Sequence, residues 1–119
     1  MRDRLPLYWS HCGSYRFRNA DVMKVDPVRS FDDVVKLGKH VKERGFKALK
    51  TNIFRFDLDP PNMHQPGFGR TPGGPELNAD GAVLAAISDG LAAFRQGAGP
   101  VSGALQRIVV KQDTYPVSR

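Results

Sequence analysis

The segment from Ser30 to Phe54, "SFDDVVKLGKHVKERGFKALKTNIF", narrows the fold more than any other stretch. Val34, Leu37 and Val41 recur at spacings of three and four, which puts them on one face of a helix. Ser30 stands at the N-cap position, and Asp33 three residues on completes a capping box with Asp in place of the usual Glu. Gly45 falls where a C-terminal glycine belongs. Directly afterwards "FKALKTNIF" has the length and pattern of a strand. On a strand, Lys50 and Asn52 share one face, while Leu49, Thr51 and Ile53 pack toward the helices. Two polar side chains on one wall of a core need a reason.

The rest of the chain repeats the alternation. "LPLYWSHC", Leu5 to Cys12, reads as a strand, and residues 13–29 read as polar and irregular. Residues 55–78, "RFDLDPPNMHQPGFGRTPGGPELN", read as a loop with five prolines and four glycines. A loop that long inside a compact domain is usually functional or disordered. "ADGAVLAAISDGLAAFRQG" predicts a second helix with Val83, Ile87, Leu91 and Phe94 on one face, capped by Asp80 or Asn78. "ALQRIVV" predicts a third strand. Strands alternating with helices argue for parallel βαβ units. In such folds the loops at the C-terminal ends of the strands build the site, and Lys50 and Asn52 sit at that end of their strand.

Bulk properties exclude little. No apolar run approaches the ~20 residues of a membrane span, and the first residues lack the apolar core of a signal peptide. A lone cysteine, Cys12, rules out an internal disulfide and any multi-cysteine metal site, and reads as a small buried hydrophobe. These features suit a cytoplasmic protein. The formal charge of +6 lies wholly in residues 1–50, with twelve Lys/Arg against six Asp/Glu. Lys36, Lys39 and Lys42 interleave with Asp32, Asp33 and Glu43, as on an ordinary solvated helix, so neither nucleic acid nor membrane is an expected partner.

"GFKALKTN" after an amphipathic helix resembles the second barrel strand of the mandelate racemase and muconate lactonizing group of the enolase superfamily, where a Lys-x-Lys motif or a variant ends the strand. The Lys-x-Asn form followed by "PPNMHQPGFGRTPGGPELN" looks most like the galactonate-dehydratase-like sugar-acid dehydratases, and "LPLYWSHCGSYR" is similar to their first barrel strand. The resemblance implies an α/β fold, the first two to three units of a (β/α) barrel of TIM type. It also implies Mg²⁺ held by three carboxylates on later strands, and removal of a proton next to a substrate carboxylate followed by loss of water. Lys50 would supply positive charge where the enediolate forms. Asn52 stands where racemising relatives carry a lysine base, and an amide there can only hydrogen-bond or orient substrate. Full-length relatives would be homo-oligomers acting on a small sugar acid.

His64 and Arg70 are the candidate substrate-binding residues, Arg70 for a sugar-acid carboxylate. No residue is assigned to a metal. Residues 1–100 are expected to form the N-terminal part of the barrel, and 101–119 a divergent tail of a truncated or frame-shifted coding sequence, leaving the chain inactive by itself. The alternative reading is a small non-enzymatic α/β module that binds an anionic partner through its basic first half.

Overall fold

The computed structural model describes residue 5 and residues 7–64, 80–100 and 105–110. The capped helix forms as its sequence predicts: α3 runs Phe31–Glu43, after two short helices described below. Ser30 is extended and its Oγ accepts from the Asp33 backbone N–H at 3.4 Å, while Asp33 Oδ2 accepts from the Arg29 N–H at 2.9 Å. Asp32 and Asp33 in the first turn and Lys42 in the last complement the helix dipole. Val34, Leu37, Gly38 and Val41 are buried. The chain leaves through Gly45, whose φ of +77° suits a residue without a Cβ.

Next comes β2 (Ala48–Thr51), the centre of a parallel sheet between β1 (Tyr8–Trp9) and β5 (Arg107–Val110). The crossover from β1 to β2 contains α3, and that from β2 to β5 contains α4 (Gly81–Ala98), so two βαβ units are present and the class is α/β. Asp80 caps α4, its Oδ1 accepting from the Val83 N–H at 2.9 Å. Leu49 lies under both helices in a core with Val34, Val41, Phe94 and Leu105. The helices approach closely because Gly38 and Gly97 meet at the crossing; a Cβ on Gly38 would stand 2.6 Å from the Phe94 carbonyl oxygen. The Arg95 guanidinium donates to the Leu105 carbonyl, tying α4 to the entry of β5.

Four expectations are revised. The first strand is two residues rather than eight, because Leu5 and Leu7 are exposed and only Tyr8 and Trp9 pair with β2. The irregular stretch holds two short helices, α1 (Ser14–Arg18) and α2 (Ala20–Met23), too short to leave an apolar period. The strand after α3 is broken at Asn52. Its second half, β3 (Ile53–Arg55), leaves the parallel sheet and pairs antiparallel with β4 (Asn62–His64), so part of the expected loop is a hairpin. Phe17, Phe31, Phe54 and Phe56 form a ring cluster with centroids 4.8–6.0 Å apart that fastens this hairpin to α1 and α3. Arg70 lies outside the described residues.

Candidate active site

The period-two reading of β2 holds. Leu49 and Thr51 are buried, and Ala48 and Lys50 are half-buried on the opposite face. In a parallel sheet, register partners point to the same side. Tyr8, Ala48 and Arg107 therefore form one row of that opposite face, and Lys50 with Val109 forms the next row toward the C-terminal strand ends. Tyr8 and Val109 are exposed, so Lys50 reaches from the end of the central strand onto an open surface.

Asn52 departs from this pattern. It is only 4% exposed, at the break between β2 and β3, and its Oδ1 accepts from the Ser14 hydroxyl at 2.6 Å. Thr51 is equally enclosed, its hydroxyl donating to the Cys12 carbonyl at 2.8 Å. The Cys12 N–H in turn donates to the Lys50 carbonyl at 2.8 Å. The turn after β1 is thus sewn to the end of β2. Gly13 makes this possible: its φ is +89°, and a Cβ would sit 2.9 Å from the Phe54 ring and 3.0 Å from Leu37. Ser14 and Thr51 were not singled out from the sequence. The signal available was the Gly-Ser pair just after a strand, which marks a turn but not its partner.

His64 sits on β4 as the register partner of Ile53, in a different sheet from Lys50. Partial burial, and then the nearby Arg55 charge, lower its pKa, so it is neutral near pH 7. Arg55 makes a bidentate pair with Asp57 at 2.8 and 2.7 Å. Cys12 is fully buried, and burial pushes its thiol up to about 12, with Arg16 opposing weakly; it is a core residue and not a nucleophile. A pocket of about 320 Å³ lies along α3, with no lining residue from β2. Its lining mixes Arg16, Lys36 and Lys39 with Asp26, Asp33 and Glu43, so this part of the basic half presents both signs of charge rather than one cationic track.

Among the described residues, no three His, Cys, Asp or Glu side chains stand together in a way that could hold a metal ion. Nor is any helix among them long and apolar enough to cross a membrane.

A parallel sheet with helices on one face, an open opposite face and a lysine at the C-terminal end of the central strand is the construction of a partial (β/α) barrel. Comparison with known proteins agrees. No protein-family model matches the sequence, and no curated protein does. Two solved structures do, both of a protein from Burkholderia xenovorans strain LB400 provisionally assigned as an L-alanine-DL-glutamate epimerase. One of them has magnesium and fumarate bound. Identity is 38% over 94% of this chain, with a TM-score of 0.77. The chain spans about a quarter of that protein's length, 26% in one structure and 27% in the other. These neighbours support the enolase-superfamily resemblance, and the magnesium in one of them agrees with the Mg²⁺ it implies. Their provisional assignment is to an epimerase, however, which lends no support to the narrower likeness to galactonate dehydratases.

Proposed function

We propose that this chain is the opening part of the barrel of an enolase-superfamily enzyme that removes a proton next to a carboxylate. On this reading residues 1–100 carry the first strand–helix units, and Lys50 is the charged group they contribute to the active site. The observation that supports it is the placement of Lys50, half-buried at the C-terminal end of the central parallel strand, on the face opposite the helices.

An ammonium group there offers little to a neutral substrate and more to a carboxylate. When the α-proton leaves, the carboxylate becomes an enediolate and its negative charge rises, so the interaction with Lys50 strengthens as the transition state is approached. The described residues supply no carboxylate cluster that could hold Mg²⁺. The base that takes the proton is not among Lys50's strand neighbours either. Asn52 has no useful basicity and is buried against Ser14. Its role is to hydrogen-bond and hold the strand end.

The absence of a second lysine at Asn52 favours loss of water from a sugar acid over two-base epimerisation. In that reaction the Cα–H bond breaks, the adjacent C–OH bond breaks with water leaving, and the resulting enol becomes a 2-keto acid. The 38% identical neighbour favours a second reading, epimerisation of an amino-acid or dipeptide substrate. The enzyme is read as cytoplasmic, and Arg70 and His64 remain candidates for substrate contact. A chimera decides between the two. This chain replaces the matching quarter of the Burkholderia protein, and products are identified from a panel of aldonates and from L-Ala-DL-Glu. A 2-keto acid supports dehydration. Epimerised dipeptide without keto acid refutes it.

A further inference from the structure

Lys50 has a charged neighbour on its own face of the sheet. Its register partner on β5 is Val109, and Arg107, two residues earlier on that strand, belongs to the same side. With strands about 4.8 Å apart and a rise of about 3.3 Å per residue, the two Cα atoms lie about 8 Å apart, a gap that side chains of this length span. Arg107 is exposed and Lys50 half-buried, and Tyr8 and Val109 beside them are exposed, so both cations stand on an open face.

Like charges held this close repel each other unless an anion lies between them. The sheet supplies none. Its three strands contain no Asp or Glu, and among the described residues neither Lys50 nor Arg107 takes part in an ion pair. On α3, by contrast, Lys36 pairs with Asp33 and His40 with Glu43. Ala48 adds room. It stands between Tyr8 and Arg107 in their row, two residues before Lys50 on the same face, and its side chain ends at Cβ. The row therefore dips between two long side chains, directly below Lys50.

We propose that Lys50 and Arg107 form a two-cation site for a dicarboxylate, over the dip at Ala48. One carboxylate meets the ammonium at the C-terminal strand end, and the other meets the guanidinium one row below. Cations a full row apart match two anionic groups better than one, and the planar fork of a guanidinium fits a carboxylate in particular. This rests on the carboxylate reading of Lys50 given above, and it adds a second contact and a narrower ligand class.

The test is calorimetric titration of the 119-residue chain at low ionic strength, where exposed charges are least screened. The probes are fumarate, the dicarboxylate bound by the solved neighbour, and crotonate, which has a methyl group in place of one carboxylate. Fumarate should bind about two- to fivefold more tightly, the worth of one exposed charge pair. Arg107→Gln should bring fumarate down to the affinity of crotonate, and Arg107→Lys should keep most of the margin. Lys36→Gln removes the same charge from α3, on the helix side of the sheet, and should leave the margin unchanged. Absence of fumarate binding, or an equal loss of margin in Lys36→Gln, would overturn the proposal. Equal binding of the two acids that Lys50→Gln abolishes would overturn the two-cation site and leave the Lys50 reading standing. Fumarate binding that Lys50→Gln does not weaken would overturn both.

Discussion

Replacing Gly38 by alanine adds one methyl group at the point where α3 crosses α4. The new Cβ would stand 2.6 Å from the Phe94 carbonyl oxygen and 3.2 Å from both the Ala98 nitrogen and the Gly97 Cα. Ordinary contact begins near 3.4 Å, so the helices must part locally by about 0.8 Å, the difference between the first distance and that limit. All three obstacles are backbone atoms, which have no rotamer to escape into. A gap of that size forfeits a quarter to a half of each dispersion contact across the crossing, and overpacking of this kind costs ~1–3 kcal/mol. Because the obstacles are rigid, the upper part of that range applies. Alanine's better helix propensity returns ~1 kcal/mol. The net loss is therefore ~1–2 kcal/mol, a sizeable part of the ~5–15 kcal/mol that holds a domain together. Gly90→Ala is the control. It lies in the same pair of helices, but its Cβ would meet only the Phe31 ring, at 3.9 Å. There the propensity gain acts alone, and stability should rise by up to ~1 kcal/mol. Urea unfolding of both variants, with slopes compared, should show midpoints moving in opposite directions. Midpoints that move together, or a Gly38→Ala variant as stable as wild type, would refute the close-crossing argument.

Gly13→Ala should be more damaging than an average surface change, by ~1–3 kcal/mol, because it combines a φ of +89° with a Cβ 2.9 Å from Phe54; thermal unfolding checks it, and a shift below ~0.5 kcal/mol would contradict it. The buried Cys12 thiol, raised from 9.0 to about 12, gives a signed pH dependence. Its contribution to stability is full below pH 9 and is lost as pH climbs from 9 toward 12, because the unfolded chain ionises first. Unfolding midpoints of wild type and Cys12→Ala should therefore converge over that interval, and parallel curves would be the contrary result. The 119-residue chain supplied with Mg²⁺ and a panel of aldonates should form no detectable keto acid, since its described residues assemble no metal site; Mg²⁺-dependent product that disappears in Lys50→Ala would show otherwise.

The parts of the fold governed by period and capping were legible in the sequence. Ser30 with Asp33, the Val34–Leu37–Val41 face, Gly45 and the Asp80 cap all act locally, so their positions alone specify α3 and α4. The alternation that buries Leu49 and Thr51 while leaving Lys50 on the other face is likewise a property of the strand. What was not legible depends on distant partners. "FKALKTNIF" reads as one strand because nothing within it says that Ile53–Arg55 will pair with Asn62–His64 rather than continue beside β1 and β5. Asn52 was expected to share the wall of Lys50. Its enclosure by a hydroxyl 38 residues earlier was not legible, because no spacing rule links Ser14 to Asn52. The Tyr8–Trp9 strand is short because its length is set by what lies beside it, and Leu5 and Leu7 have nothing to pack against among the described residues.

Lys50 is proposed to stabilise negative charge that develops during the reaction. The most direct measurement is steady-state kinetics of Lys50→Ala in the chimera with the Burkholderia protein, beside Asn52→Ala, on one substrate at saturating Mg²⁺. Losing a single preorganised electrostatic donor typically costs about 10²–10³ in rate. Lys50→Ala should lower kcat by roughly that factor with little change in KM, because the ammonium faces one negative charge in the ground state and more in the enediolate. Asn52→Ala should cost less, since a neutral amide gains less from growing charge than an ammonium does. A Lys50→Ala variant that changes only KM, or an Asn52→Ala variant that loses as much kcat, would contradict that role.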